Sequence, residues 1–376
     1  RSRLVDAASW LRSHLSGRPF LVERDDLPAM RSLVRKILSS YQVDAIHADQ
    51  LSMAQFALPE PSFSPWLSRK RVPQKQETNG LLQTPGLIFD AHNATWSILD
   101  RMLSTLPKSR AVLRPLLKIE VGRVKRYEGM IQRVFDHTLA VTEADQHALH
   151  EAFQAFVSRD HGFSVDGKAT SCSPRITVIP IAVDTEQRRP IQRRLGSTHI
   201  LTMGTLHYPP NADGIRWFIH EIFPLVLNQC PMATLTIVGK NPPQDFLHMA
   251  ERHPASLRVT GYAPDLVPYL EEAALVVVPV RAGSGMRVRI LEMFAHAMPV
   301  VTTTVGLEGI DAKHEEEILV ADTSEEFASA VLRLISDPSL QDKLASQGRR
   351  LAEAKYDWKM ALKKFSSIYP EKLNQG

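Results

Sequence analysis

Between residues 279 and 309 the chain reads PVRAGSGMRVRILEMFAHAMPVVTTTVGLEG, a stretch that concentrates residues able to hold an anion. Gly283 and Gly285 follow an apolar run and let a ligand approach the main chain closely. Arg287 and Arg289 add two permanent positive charges where a helix is predicted to begin, and the free amides and positive dipole end of such a helix favour phosphate. Glu292 lies three residues after Arg289 on the same helical face, about one and a half turns below the phosphate end. A carboxylate set back in this way can accept hydrogen bonds from two vicinal hydroxyls, as a ribose offers. The spacing therefore predicts a nucleoside diphosphate, with phosphates at the helix start, ribose at Glu292 and the base further out. A plainer reading stays open, in which Arg289 and Glu292 form a surface ion pair worth about 0.2–0.5 kcal/mol and the glycines only turn the chain. The pattern is not the dinucleotide fingerprint, since Val288 stands where its third glycine belongs, and no Walker lysine motif is present.

The elements around this stretch alternate. From about residue 199 the strands HILTMG, ATLTIVG, LRVTGY, ALVVVPV, PVVTTTV and EILVAD are interleaved with helical patterns. Those patterns are NADGIRWFIHEIFPLVLNQ with Asn211 or Asp213 as cap, 243–252, a short helix from Asp265, the helix entered at Arg287, 324–337 and 338–354. Six apolar strands between helices predict a parallel sheet covered on both faces, a Rossmann-like domain whose ligands bind beyond the carboxyl ends of its strands. Ile290, Leu291, Met293 and Phe294 supply the apolar face that seats the helix after Arg287 on this sheet. A last pattern runs from Asp357 to about Leu373.

In the first half, helices are predicted at 27–40, 51–58, 94–103 and about 108–134, with strands DAIHAD, LIFDAH, HTLAVTE and RITVIPI. Before residue 27, LVDAASWLRSHLSGRPFLVERDD reads as a helix followed by a strand. Residues 59–85 and 158–174 read as surface loops. The domain boundary is expected after VIPIAVD, between about 184 and 197.

At 376 residues and 42.2 kDa, two domains are expected. A formal charge of +4 suits an anionic ligand or membrane surface, while the aromatic and basic interleaving of an RNA-binding module is missing, so nucleic acid is not an expected partner. The two cysteines, Cys172 and Cys230, lie too far apart in sequence to argue a disulfide framework or a cysteine metal site, which fits a reducing cytoplasm. No apolar run reaches the roughly 18–20 residues of a membrane-spanning helix. His147 and His150 form an H-x-x-H beside Glu151, but no third ligand is evident and no metal is expected.

The segment GSGMRVRILEMFAHAMPVVTTTVGLEG resembles the donor-binding signature of family 4 retaining glycosyltransferases, in the subgroup that reads G-x-G-x-R-x-K-x-L-E followed by P-V-V. VIPIAVD, MGTLHYPPNADGIRWF, TIVGKNP, VTGYAPDLVPYLEEA and YDWKMALKKFSSIY extend the resemblance, as do IHAD, FDAHN, RYE and AVTEAD in the first half. It implies an α/β protein of the GT-B fold, two Rossmann-like domains facing across a cleft that holds a nucleotide sugar. On this basis residues 1–184 form an acceptor-side domain, 197–355 the nucleotide-sugar domain, and 356–376 a helix packing back toward the first.

By the same resemblance Arg287 and Arg289 hold the donor diphosphate and help catalysis, and Glu292 holds the ribose. Arg289 stands where lysine is commoner, which keeps the charge. Ser284 occupies the position of a second glutamate found in most of the wider family, so the backbone amides around Gly285 and Met286 become the substitute contacts for the transferred sugar. Gly204 in MGTL lets the first strand of the second domain end against the phosphates, with a simple strand-to-loop turn as the alternative. Tyr262 in GYAPD is a candidate wall for the base, and His92 in FDAHN a candidate catalytic contact to the donor sugar, with His47 in IHAD similarly placed.

The implied reaction moves a sugar, of hexosyl type, from a nucleotide-diphosphate donor to a hydroxyl of a glycan or lipid-linked acceptor with retention, and without a cofactor or essential metal. The setting is bacterial polysaccharide synthesis in the cytoplasm. Arg101, Lys108, Arg110, Arg114, Lys118, Arg123, Lys125, Arg126 and Arg133 face only Glu120 and Glu128 in their stretch, which predicts either a solvated helix face or peripheral docking on the anionic inner face of the plasma membrane. The strand, glycine-rich loop and helix that open such a first domain are not found before residue 27, so the expectation is either a fragment lacking roughly 60 or more residues or a naturally shortened protein. Two rivals follow: a non-catalytic GT-B-like subunit that binds nucleotide or a partner, and a nucleotide-sugar 2-epimerase.

Overall fold

The computed structural model describes residues 3–58, 85–104, 106, 108–159, 173–283 and 285–369. The chain divides into two compact units, Arg1–Pro180 with Lys364–Gly376, and Ile181–Lys363. Among the described residues no helix is long and apolar enough to cross a membrane.

The first unit is built on a four-stranded parallel sheet in the order β1-β2-β3-β4, with β1 Ala45–Asp49, β2 Gly86–Asp90, β3 His137–Ala140 and β4 Ile176–Val178. These are the four strands expected. Its helices are α1 Arg3–Ser16, α2 Phe20–Arg24, α3 Pro28–Ser40, α4 Thr95–Ser104, α5 Arg114–Val134 and α6 Glu143–Arg159. α5 packs because Val121, Val124, Glu128 and Ile131 recur at helical spacing and are all buried, as are Phe89 and Leu139 of the strands. An edge contact of Phe89 with Phe135, ring centres 5.9 Å apart, closes this core.

Two expectations fail here. FLVER, read as a strand, is the short helix α2: Pro19 precedes its first turn, and the only buried side chains are Val22 and Glu23, one after the other. Glu23 accepts from Ser16 at 2.8 Å and pairs with Arg18 at 3.2 Å, so its burial serves a polar cluster rather than a strand face. Residues 51–58 shrink to a single tight turn at Ala54–Phe56, because the buried Gln55 amide donates to the carbonyls of Val22 and Ser52 and anchors that turn to α2. The loops predicted at 59–85 and 158–174 lie almost wholly outside the described residues.

The second unit contains all six expected strands, β5 His199–Met203, β6 Thr234–Val238, β7 Leu257–Gly261, β8 Leu275–Val278, β9 Val300–Thr302 and β10 Leu319–Val320. They form one parallel sheet in the order β10-β9-β8-β5-β6-β7. Helices α7 Pro209–Trp217, α8 Phe223–Gln229, α9 Gln244–Arg252, α10 Val267–Glu272, α11 Val288–Ala295, α12 Thr304–Leu307, α13 Ser324–Ser336, α14 Pro338–Leu351 and α15 Trp358–Leu362 cover it. The long pattern predicted from residue 211 is α7 continued through a wide turn at Phe218–Ile222 into α8. Neither Asn211 nor Asp213 caps it, since α7 starts at Pro209 with Tyr208 in the extended cap position. Both side chains serve the site instead. Edge contacts of Phe327 with Trp217 and Phe218 bind α13 to α7, and a capping box of Thr323 with Glu326 starts α13. The last pattern, expected from Asp357 to about Leu373, is α15 capped by Asp357 and tightened into a three-residue-per-turn helix over Lys363–Ser367.

Candidate functional site

Strands β5, β6, β7 and β8 of the second unit end on the same side, as parallel strands must, and their last residues lie together. Gly204 donates its amide to Val238 at 2.9 Å and Gly239 donates to Gly261 at 2.8 Å. A Cβ on Gly239 would sit 1.9 Å from the Gly204 carbonyl oxygen, so the two strand ends touch through their main chains. The β-branched run after α11 fastens β8 to β9. The buried hydroxyl of Thr302 donates to Val278 at 2.8 Å, and that of Thr303 donates to Val280 while accepting from the Gly306 amide.

Arg287 is the residue on which α11 opens, as expected, and Ile290, Leu291, Met293, Phe294 and Ala295 are its buried face. Within the first turn, Arg289 passes under the end of β5 and donates to the Met203 carbonyl at 2.5 Å and to Asn211 Oδ1 at 3.0 Å. A Cβ on Gly204 would lie 2.5 Å from Arg289 Nη1, which explains why a residue without a side chain stands there. Gly283, at φ +116°, stands in the same relation to Arg287, whose Nη2 would be 3.0 Å from its Cβ. Gly285 is also left-handed at φ +87°, Met286 is buried, and Ser284 lies outside the described residues. Thus Gly204, Gly283, Arg287 and Arg289 are brought together.

The electrostatics follow from what Arg289 touches. Its two hydrogen-bond partners among the described residues are neutral carbonyl oxygens. Burial, reinforced by the neighbouring Arg287 charge and opposed by Glu292, pushes its pKa down to about 10, which leaves it fully charged at neutral pH. Burial lowers Arg287 as well, against the opposing influence of Glu308 and Tyr208. Two partly buried cations two residues apart, one bonded only to neutral oxygens, form a site that an arriving anion stabilises.

Glu292 does not pair with Arg289. Its Oε1 accepts from Arg188 Nη2 at 2.7 Å, so the ion pair considered at three-residue spacing is made instead with a residue 104 positions earlier. Tyr262 is 63% exposed, and the Lys240 ammonium stands 4.4 Å from its ring centre, a cation–π pair at the ends of β6 and β7. Asp213 accepts from Arg281, in the loop after β8, at 2.9 and 3.1 Å.

His92 belongs to the first unit, just past β2, in a left-handed conformation at φ +53°. Its Nε2 pairs with Asp49 at the end of β1, and its amide donates to Asp90 at 3.2 Å. His47 lies 3.5 Å from Asp90 and 2.7 Å from the Tyr369 hydroxyl. Burial alone would raise the Asp90 carboxyl, but hydrogen bonds from His47 and the His92 amide outweigh it and hold it below the ordinary range. Ligating atoms of Asp49, Asp90 and His92 all fall within 4.8 Å of one another, close enough for a metal ion. His147 and His150 are not part of such a group among the described residues; they bond to the Glu143 carbonyl and the Gln154 amide.

The first-half motifs converge on the His92 loop. Asp145 of AVTEAD accepts from the Ala94 amide at 2.9 Å and from the Thr142 hydroxyl. Glu128 of RYE accepts from the Thr95 and Trp96 amides at 2.7 and 3.3 Å and so holds the first turn of α4. Fully buried, its carboxyl is pushed up to about 8 by desolvation, against the pull of those amides. Asp49 and Asp90 were visible as the neighbours of the two histidines in IHAD and FDAH. Arg188 had no signal of its own and Asn211 only that of a helix cap, since only the folded chain brings them to α11.

Two parallel α/β sheets with this strand order are those of the GT-B fold. Among solved structures, HepE of Anabaena in complex with UDP has a TM-score of 0.59 at 16% identity, with 91% of this chain and 81% of that one covered. Sucrose-phosphate synthase of Thermosynechococcus elongatus has a TM-score of 0.59 at 16% identity, covering 95% and 80%. A glycosyltransferase of Rickettsia africae reaches 0.57 at 15% identity, covering 93% and 82%. Residues 197–337 match the family described as glycosyl transferases group 1. A curated relative, an uncharacterized 44.6 kDa protein in the cps region of Klebsiella pneumoniae, is 26% identical over 183 residues, which is 47% of this chain and 46% of that protein. The match thus spans about half of that relative's length.

Proposed function

We propose that this chain is a retaining family 4 glycosyltransferase that moves a hexosyl group from a nucleoside-diphosphate sugar to a hydroxyl of a glycan or lipid-linked saccharide. The observation that carries this reading is Arg289, partly buried, charged and bonded to neutral oxygens at the end of β5, with Arg287 two residues before it at the start of α11. Departure of the nucleotide leaves negative charge on the diphosphate, and these two guanidiniums with the helix amides are set to stabilise it without reorganisation. That role gives charge which a metal supplies in other transferases, so the reading includes no cofactor. Glu292 accepts from the ribose hydroxyls, Gly204 and Gly283 let the phosphates approach, and Tyr262 walls the base. Ser284 and the amides of Gly285 and Met286 contact the transferred sugar. His92, oriented by Asp49, serves the donor sugar.

The match to a protein in a cps region favours polysaccharide synthesis in a bacterial cytoplasm. A peripheral membrane contact fits the exposed Val112, Leu113, Leu116 and Ile119 beside Arg114 and Lys118 at the start of α5. The test of the reading is calorimetric titration with UDP, GDP and ADP, UDP first because HepE was solved with it, followed by turnover of the matching sugar conjugate. Selective binding of one diphosphate, lost in Arg289→Ala, with diphosphate released only when an acceptor is present, is the expected result. Release without an acceptor favours the epimerase, binding without turnover the non-catalytic subunit, and no binding refutes the reading.

A further inference from the structure

Residues 184–191 lie against α11 and are fastened to it at several points. Arg349 of α14 donates to the carbonyls of Thr185 at 2.8 Å, of Arg188 at 2.6 Å, and of Ala295 at the end of α11, and its Nε holds Glu353 at 2.6 Å. Ile191 donates its amide to the His296 carbonyl at 2.9 Å, and His296 Nδ1 meets the Arg189 carbonyl at 3.0 Å. One guanidinium joining three carbonyls from two segments fixes the main chain of Arg188 relative to α11. From that fixed point the Arg188 side chain reaches Glu292 Oε1 at 2.7 Å, with both side chains about one-third exposed. Glu292 Oε2 has no bonded partner among the described residues.

We propose that Arg188 is the positioning residue of the ribose subsite: it pins Glu292 through Oε1 and so aims the carboxylate at the ribose hydroxyls, with Arg349 holding Arg188 in place. This rests on the reading of Glu292 as the ribose residue. A glutamate on a helix surface otherwise samples several rotamers, and ordering it on ligand binding costs free energy that a standing ion pair has already met. An arginine is suited to this because its planar fork keeps its direction when one nitrogen is engaged. The pair is about one-third exposed, so its worth lies in direction rather than in stability.

The experiment compares UDP, GDP and ADP with their 2′,3′-dideoxy counterparts by calorimetry, on the unsubstituted chain, Arg188→Met, Arg188→Lys and Glu292→Gln, with thermal unfolding to check that each is folded. Arg188→Met is expected to weaken the bound ribonucleotide about tenfold, in line with loss of one charged hydrogen bond, and to leave the dideoxy form unchanged. Arg188→Lys restores part of the preference, and Arg188→Met adds nothing in a Glu292→Gln background. Equal weakening of both nucleotides, or no change in their ratio, overturns the role of Arg188 while leaving the nucleotide site standing. If the unsubstituted chain binds none of the diphosphates, both the site and this role fall.

Discussion

Replacing Gly204 by alanine tests whether the end of β5 is shaped for Arg289. The added methyl would lie 2.5 Å from Nη1, 2.8 Å from Cζ and 3.0 Å from Nη2 of that side chain. Ordinary contacts begin near 3.4 Å, so the guanidinium must move by about an ångström. The bonds to Met203 and Asn211, 2.5 and 3.0 Å long, do not both survive such a shift. Losing one charged hydrogen bond costs about 1.5–3 kcal/mol, and alanine at φ +157° adds backbone strain of about 1–3 kcal/mol, so its smaller unfolded-state entropy gives no net gain. A loss of about 2.5–6 kcal/mol lowers Tm by roughly 5–24 °C in a domain of this size. Diphosphate affinity should fall with it, because the displaced charge no longer faces the strand end. The assay is thermal unfolding and calorimetry on Gly204→Ala, Arg289→Ala and the double variant. Gly204 sits at φ +157°, so some backbone strain remains in any background, but the part of the penalty that acts through the guanidinium should vanish once Arg289 is alanine. Additive penalties, or a Gly204→Ala chain with unchanged Tm and affinity, would refute the reasoning.

Arg289→Ala should reduce kcat about 100- to 1000-fold while the acceptor KM stays within about twofold, the pattern of lost leaving-group stabilisation; steady-state kinetics with varied acceptor decide, and a rise in acceptor KM with kcat preserved would contradict it. Asp49→Asn should impair turnover nearly as much as His92→Ala, with the double variant no worse than the single ones, because Asp49 acts through His92. Glu128 predicts a pH effect on stability. Its native pKa of about 8 lies above the ordinary 4.5, so between those values the folded state holds a proton that the unfolded state has released. Stability therefore falls as pH rises across that window, by at most ~1.4 kcal/mol per unit. Denaturant midpoints from pH 5 to 8 should show this slope, and Glu128→Gln should flatten it. Gly214→Ala should unfold the second unit readily, since its Cβ would stand 1.7 Å from the Pro279 carbonyl oxygen; a soluble variant with the original Tm would show that α7 can shift.

The second unit was the more legible because buried parallel strands are written as short apolar runs with helices between them, and all six appear where those runs lie. The first was read less well where polar clusters, not apolar periodicity, shape the chain. α2 and the turn at Ala54–Phe56 are shaped by Arg18, Glu23 and Gln55, and the bonds that join the two segments, Gln55 with Arg18 and with Val22, span 37 and 33 residues. The start of α7 was missed for a related reason. Asn211 and Asp213 look like caps to any local rule, but their side chains are recruited by Arg289 and Arg281, and the prolines at 209 and 210 open the helix instead.

What the sequence determined by itself is the local chemistry: a glycine-bearing turn after an apolar strand, two arginines on entering a helix, and an apolar face to seat that helix. These depend on spacing along a few turns, and spacing is preserved on folding. Only the tertiary structure decided which charge meets which. Arg289 turned from Glu292 to the carbonyls of Met203 and Asn211, and Glu292 was taken by Arg188. The reason is physical: side chains pair across the gaps between elements, and those gaps are set by the packing of a whole sheet and its helices rather than by the distance between residues in the chain.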